Sequence, residues 1–163
     1  MAPRKPDKTL AMRVLEGRDI PYQPVHYVVE RHLSASEVSG LLGLPPDEVF
    51  KTLVVLPDDG SGRPVLALIP SESSLDLKKL ATAIGDRKLR MASQRDAEGL
   101  TGLKKGCISP LALMARNFRL VFDETVAMHD RIELSAGKVG VGVLVPVHAL
   151  LDLLQPLLAD ITA

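Results

Sequence analysis

The sequence predicts a mixed α/β domain, and three observations carry that expectation. Two continuous apolar runs, "FKTLVVL" and "RPVLALIP", flank the turn "PDDGSG"; capped helical patterns stand between other β-like runs; and the order lacks the strict strand-helix alternation of a parallel sheet. With 163 residues, 46% of them hydrophobic, the chain is long enough to bury one core and too short to promise two, so one domain over residues 1–163 is expected.

The first helix is expected over Asp7 to Gly17, where Leu10, Val14 and Leu15 have helical spacing, Asp7 stands at the N-cap and Gly17 at the stop. "IPYQPVHYVV" is rich in β-formers but broken by Pro21 and Pro24, which suits an edge strand from about Tyr22 to Val29. Ser34 and Glu37 are in capping-box register and open a second helix that ends at Gly43. Pro45 and Pro46 start a short helical turn through "DEVF". The two apolar runs then form a hairpin, with Lys51 at the mouth of its first strand. A helix follows over Asp76 to Gly85, "DRKLRMA" reads as a short strand, and Ser93 caps another helix to Gly99. "FRLVFDETV", "DRIELSAG" and "KVGVGVLV" are three more β-like runs, and a last helix is expected from Val147 through Leu158.

Composition limits the function. Lys plus Arg and Asp plus Glu number 20 each, so net charge announces neither nucleic acid nor an anionic membrane, and such a partner must be met by a local patch. One cysteine excludes an internal disulfide framework and fits a reducing, cytoplasmic setting. The opening "MAPRKPDKTL" lacks an apolar signal core, and no apolar run is long enough to span a bilayer; a soluble protein without a membrane partner is expected. His26, His32, His129 and His148 show no i, i+4 pair and no HExxH, so no metal is expected.

The candidate chemistry lies in two places. Lys51, between Phe50 and Thr52, is either a strand-end lysine with its head in water or a cation projecting into a pocket, where it can hold a phosphate or polarise a carbonyl. "TGLKKGCISPLAL", from Thr101 to Leu113, is either a basic turn or an anion cradle in which Gly102 and Gly106 let successive N–H groups point at one oxygen. Its spacing is not that of a Walker loop. Cys107 has no accompanying signature of a nucleophile, and Ser109 lacks the Gly-x-Ser-x-Gly frame. "GKVGVG", Gly137 to Gly142, reads as a bulged strand start rather than a phosphate loop. Between Lys78 and Lys105 there are eight basic residues, Lys78, Lys79, Arg87, Lys88, Arg90, Arg95, Lys104 and Lys105, against three acidic ones. That stretch is either a pair of solvated helix faces or a phosphate-tracking patch.

The order "GLPPDEVFKTLVV", "SLDLKKLATAIG", "TGLKKGCISPLAL", "SAGKVGVGV" resembles the YbaK/EbsC family of aminoacyl-tRNA deacylases, related to the editing domain of prolyl-tRNA synthetases. The resemblance runs from about residue 9 to about residue 158. It implies a barrel-like mixed sheet surrounded by helices, and trans-editing hydrolysis of a mischarged tRNA, Cys-tRNA(Pro) before others. It implies no cofactor, and prolyl-tRNA synthetase as a partner beside the aminoacyl-tRNA. Lys51 falls on the family's functional lysine. Thr101, Gly102, Gly106, Ser109 and Pro110 fall on its "TGY-x-x-GGxSP" loop, and Tyr27 on a pocket tyrosine. The amides of Gly106, Cys107 and Ile108 would hold the developing oxyanion, and Lys78, Lys79, Arg87, Lys88, Arg90, Lys104 and Lys105 would meet tRNA. Leu103 and Cys107 depart from the loop pattern, and Gly142 stands where the cysteine-specific branch tends to carry an aspartate. The alternatives are a binding module with a degenerate pocket that grips tRNA or a synthetase, a deacylase for another small amino acid such as alanine, and a small-molecule binder holding a nucleotide phosphate.

Overall fold

In a computed structural model, residues 7–28 and 34–163 are described; Val29 and His32 lie outside them. Helix α1 (Leu10–Gly17) is capped by Thr9, whose side chain accepts from the Met12 amide. The cap therefore sits two residues later than Asp7, because Thr9 has the extended backbone and the hydroxyl reach that a cap needs. Strand β1 is short (Gln23–His26). Helix α2 (Ala35–Leu42) has the expected capping box between Ser34 and Glu37 and ends at Gly43 in the left-handed conformation. A single 3-10 turn, Pro46–Glu48, leads into β2 (Phe50–Pro57), which pairs with β3 (Val65–Pro70) as the expected antiparallel hairpin.

Helix α3 (Leu77–Ile84) is capped by Asp76, which accepts from the amides of Lys78 and Lys79. Strand β4 (Leu89–Met91), helix α4 (Gln94–Thr101) and strand β5 (Arg119–Asp123) follow. The β-like run "FRLVFDETV" stops at Asp123, whose buried carboxylate turns the chain by accepting from the Thr125 amide, and a 3-10 turn takes over at Glu124–Met128. Strands β6 (Arg131–Lys138) and β7 (Val141–Pro146) form a second antiparallel pair. The expected bulged strand start over Gly137 to Gly142 is instead the end of β6, where the register shifts between Ser135 and Lys138, a turn at Val139 and Gly140, and the first residues of β7.

The last helix is shorter than expected. Helix α5 spans Val147–Leu154 and ends at Gln155 with φ 47, and strand β8 (Leu157–Ala159) takes the place of its last turn. Pro156 cannot continue a helix, and β5 offers a parallel edge on which Leu157 to Ala159 bond to Val121 to Asp123.

The strands form two sheets, in the orders β1-β7-β6 and β4-β2-β3-β5-β8. An isolated parallel bridge between Val49 and Glu133 links them, and among the described residues no continuous ladder closes the two sheets into one barrel. Strand β3 lies inside the larger sheet, and its alternating residues serve both faces. Ala67 and Ile69 pack towards Leu80 and Ala81 of α3, whereas Leu68 joins Phe50 and Phe122 beneath the smaller sheet. Burial on both sides explains why "VLALI" reads as an unbroken apolar run. Strand β6 alternates in the usual way: Ile132, Leu134 and Ala136 enter the core with Leu15 of α1 and Leu150 of α5. Its other face, carrying Glu133 and Ser135, looks onto a hollow beside β2.

Candidate functional site

The hollow has a volume of about 410 Å³ and is bounded by β2, β6, α4, the Gly106 turn and the chain after β1. Lys51, Tyr27, Gly106 and Ile108 all line it, as does Lys105. Lys51 is half-buried at the start of β2, one residue past Phe50, which is driven into the core and so turns its neighbour outwards to the cavity. The ammonium makes no hydrogen bond or ion pair among the described residues, and burial lowers its pKa. Tyr27 continues the line of β1 by donating its amide to the Gly140 carbonyl at 3.0 Å. Burial, with the acidic groups of Glu133 and Cys107 nearby, pushes its phenol up to about 12, so it stays a neutral donor at any physiological pH.

The glycine turn is held from behind. Thr101, at the end of α4, donates its hydroxyl to the Ala97 carbonyl at 2.7 Å and accepts from the Leu103 amide at 3.1 Å. Gly102 takes the left-handed conformation that closes α4. Thr101, Gly102, Ser109 and Pro110 are not part of the cavity wall, and they shape the loop that presents Gly106. Ser109 is fully buried and its hydroxyl has no partner among the described residues. Gly106 has φ 81, a conformation in which a side chain is strained.

One expected oxyanion donor is corrected. The Cys107 amide donates to the Lys104 carbonyl at 2.9 Å, closing the turn, and is not available to a ligand. The amides of Gly106 and Ile108 have no acceptor among the described residues. Burial raises the pKa of the Cys107 thiol, with Lys104 opposing, which keeps it protonated near neutrality.

The basic stretch is divided by the fold. Lys105 stands at the cavity, next to Lys104. Lys79 of α3 is bound to Asp160 at 2.9 Å and to the Thr162 carbonyl at 2.8 Å, beside Lys78. Lys88 faces Asp58 at 3.8 Å, and Arg87 lies near Asp59. Arg90 and Arg95 line a second depression.

Sequence reasoning missed Glu133. It is 3% exposed and projects from β6 into the cavity wall, where burial raises its pKa to about 7. It makes no hydrogen bond or ion pair among the described residues. Its Oε1 occupies the space that a Cβ on Gly142 would fill. Position 142, singled out because it lacks an acidic side chain, thus has a carboxyl directly above it, delivered by the neighbouring strand. The one sequence signal was a glutamate inside the apolar alternation of "RIELSA", a pattern that ordinarily marks a solvent-facing side.

Comparison with known proteins gives a consistent picture. The profile of the family described as the aminoacyl-tRNA editing domain matches residues 30–153. An Enterococcus faecalis protein with the provisional name Cys-tRNA(Pro)/Cys-tRNA(Cys) deacylase EbsC is 38% identical over 156 residues, covering 95% of this chain and 93% of that one. The proline–tRNA ligase of Geobacter metallireducens is 34% identical over 57% of this chain, which corresponds to 15% of the ligase. Among solved structures, a hypothetical protein superposes with a TM-score of 0.84 at 21% identity, covering 94% of this chain and 99% of its own. A provisionally assigned trans-editing enzyme for prolyl-tRNA synthetase superposes with a TM-score of 0.78 at 23% identity over 97% and 99%. At these identities the structural likeness speaks for the fold.

Proposed function

The chain belongs to the aminoacyl-tRNA editing domain family, and from that premise we propose that it is a trans-editing deacylase that hydrolyses the ester of a mischarged tRNA, Cys-tRNA(Pro) before others. The observation that carries this reading is the convergence of Lys51 with the Gly106 turn on one cavity of about 410 Å³. That volume suits the aminoacyl end of a tRNA and excludes the folded body of the tRNA, which must rest outside against Lys104 and Lys105. We take residues 1–163 as one working unit, acting in the cytoplasm, where charged tRNA and prolyl-tRNA synthetase are found.

The chemistry needs little beyond aimed dipoles, because an aminoacyl ester is already activated. As the carbonyl carbon becomes tetrahedral, its oxygen gains negative charge, and we assign its stabilisation to the amides of Gly106 and Ile108, a role supported by their place on the cavity lining and by their having no acceptor among the described residues. One such donor is typically worth about 10² to 10³ in rate. Lys51 supplies a positive charge with no carboxylate partner to neutralise it, so its field acts on the carbonyl oxygen or on the phosphate of the terminal nucleotide. The nucleophile is a held water or, on a cysteinyl ester, the substrate's own sulfur. In the second case sulfur bonds to the carbonyl carbon, the bond to the ribose oxygen breaks, and that oxygen takes up the thiol proton. Proximity then supplies much of the rate. The Cys107 thiol has no part in either route.

The test is Lys51→Met assayed on Cys-tRNA(Pro) and Ala-tRNA(Pro). Deacylation is expected to fall at least a hundredfold, with the melting temperature held or raised, because methionine fills the same volume without a desolvated charge. Near-normal turnover by Lys51→Met would remove the lysine from the mechanism.

A further inference from the structure

We infer that the Glu133 carboxylate is the seat of the substrate's α-ammonium, so that the site selects acyl esters carrying a free amino group. The inference rests on the proposal that the cavity receives an aminoacyl ester, and it adds the group that orients it.

Glu133 is built into the cavity wall rather than set on its rim. The alternation of β6 sends Ile132 and Leu134 into the core and leaves Glu133 facing the hollow at 3% exposure. Gly142, on the paired strand β7, leaves the room this side chain uses: a Cβ there would overlap Oε1 and stand 3.1 Å from Cδ and 3.0 Å from Val25 Cγ2. Glycine is not needed at 142 for a left-handed backbone, since its φ is ordinary. The close approach of the carboxylate is the requirement.

A carboxylate this deeply buried is costly unless a cation or hydrogen-bond donors meet it. Among the described residues neither does. Lys51 lines the same cavity, yet no ion pair joins the two. The cavity thus holds one unneutralised acid and one unneutralised base. A ligand satisfies both only by bringing a cation for Glu133 together with a phosphate or a developing oxyanion for Lys51. An aminoacyl nucleotide has that pairing, an α-ammonium on the carbon next to the ester carbonyl and phosphate beyond the ribose. A neutral acyl ester offers nothing to Glu133 and leaves it buried without a partner.

The probe is a matched pair, alanyl-tRNA(Pro) and lactyl-tRNA(Pro), in which a hydroxyl replaces the ammonium at nearly the same size. For the wild-type protein KM should be about ten- to a hundredfold lower for the alanyl ester, the range for a hydrogen bond to a charged group. Glu133→Gln should raise KM for the alanyl ester by a similar factor, change kcat little, and bring the two esters close to parity. Gly142→Ala, which displaces the carboxylate and leaves its charge, should give the same signature and guards against a misfolded glutamine variant. Equal KM values for the two esters on the wild type would overturn the inference alone. So would a Glu133→Gln variant that loses kcat at unchanged KM, because the carboxylate would then be acting on the reacting water. A wild type that turns over no aminoacyl-tRNA would defeat the reading of the site, and this inference with it.

Discussion

Replacing Glu133 by glutamine should alter how stability depends on pH, and the size of the effect follows from the place of the carboxyl. In the folded protein it titrates at about 7, against an ordinary value of 4.5, because burial penalises its charged form. A raised folded pKa means that folding takes up a proton between those two values. The contribution is therefore fully present below pH 4.5, where both states are protonated, and is lost as the pH rises through 7. At about 1.4 kcal/mol for each tenfold difference in proton affinity, the gap is worth roughly 3 kcal/mol. Urea unfolding of the wild type and Glu133→Gln at intervals from pH 4 to 8.5 measures it. The wild type should lose roughly 3 kcal/mol relative to the variant across that range, most of it between pH 5 and 7. Glu16, Asp59 and Asp160, whose pKa values are lowered by their partners, act in the opposite direction. They are common to both proteins and cancel in the difference. A difference that stays flat with pH would mean that the carboxyl is solvated or paired, and the reasoning about the cavity would fail with it.

Two further outcomes test the turn and the tRNA contact. Gly106→Ala forces a side chain onto a φ of 81 and should cost roughly 1 to 2 kcal/mol of stability, or a few degrees in Tm. Its deacylation rate should drop more than tenfold as the amides swing out of aim, and an unchanged rate would take the turn out of the site. Lys105→Ala should weaken KM for tRNA and reduce the slope of log K against log salt by about one phosphate contact. Lys79→Ala, whose ammonium is held by Asp160 and the Thr162 carbonyl, should leave that slope unchanged.

What could be read in the residues was whatever is decided locally. The hairpin of β2 and β3 is legible because both faces of β3 are buried, and a strand without an exposed side reads as an unbroken apolar run. The capping box at Ser34 and Glu37 is legible because a cap is a contact over three residues. The same locality explains the misses. "ALLDLLQPLL" keeps its leucines in helical register past Gln155, and only the edge of β5, more than thirty residues earlier in the chain, makes Leu157 to Ala159 a strand. Pro156 was the available signal.

By itself the sequence determined the order and type of nearly every element and the lysine that stands where β2 begins. It also determined the glycine turn, since steric limits on φ and the periodicity of burial act within a few residues. The tertiary structure alone decided which polar groups face one another across a gap. It committed the Cys107 amide to closing its own turn, drew Lys79 away to the C-terminal segment, and turned the polar face of β6 into a cavity wall. A glutamate on an alternating strand is the same in sequence whether that face meets water or a second sheet. The cost or use of its charge depends on the dielectric around it, which is set by residues far away in the chain.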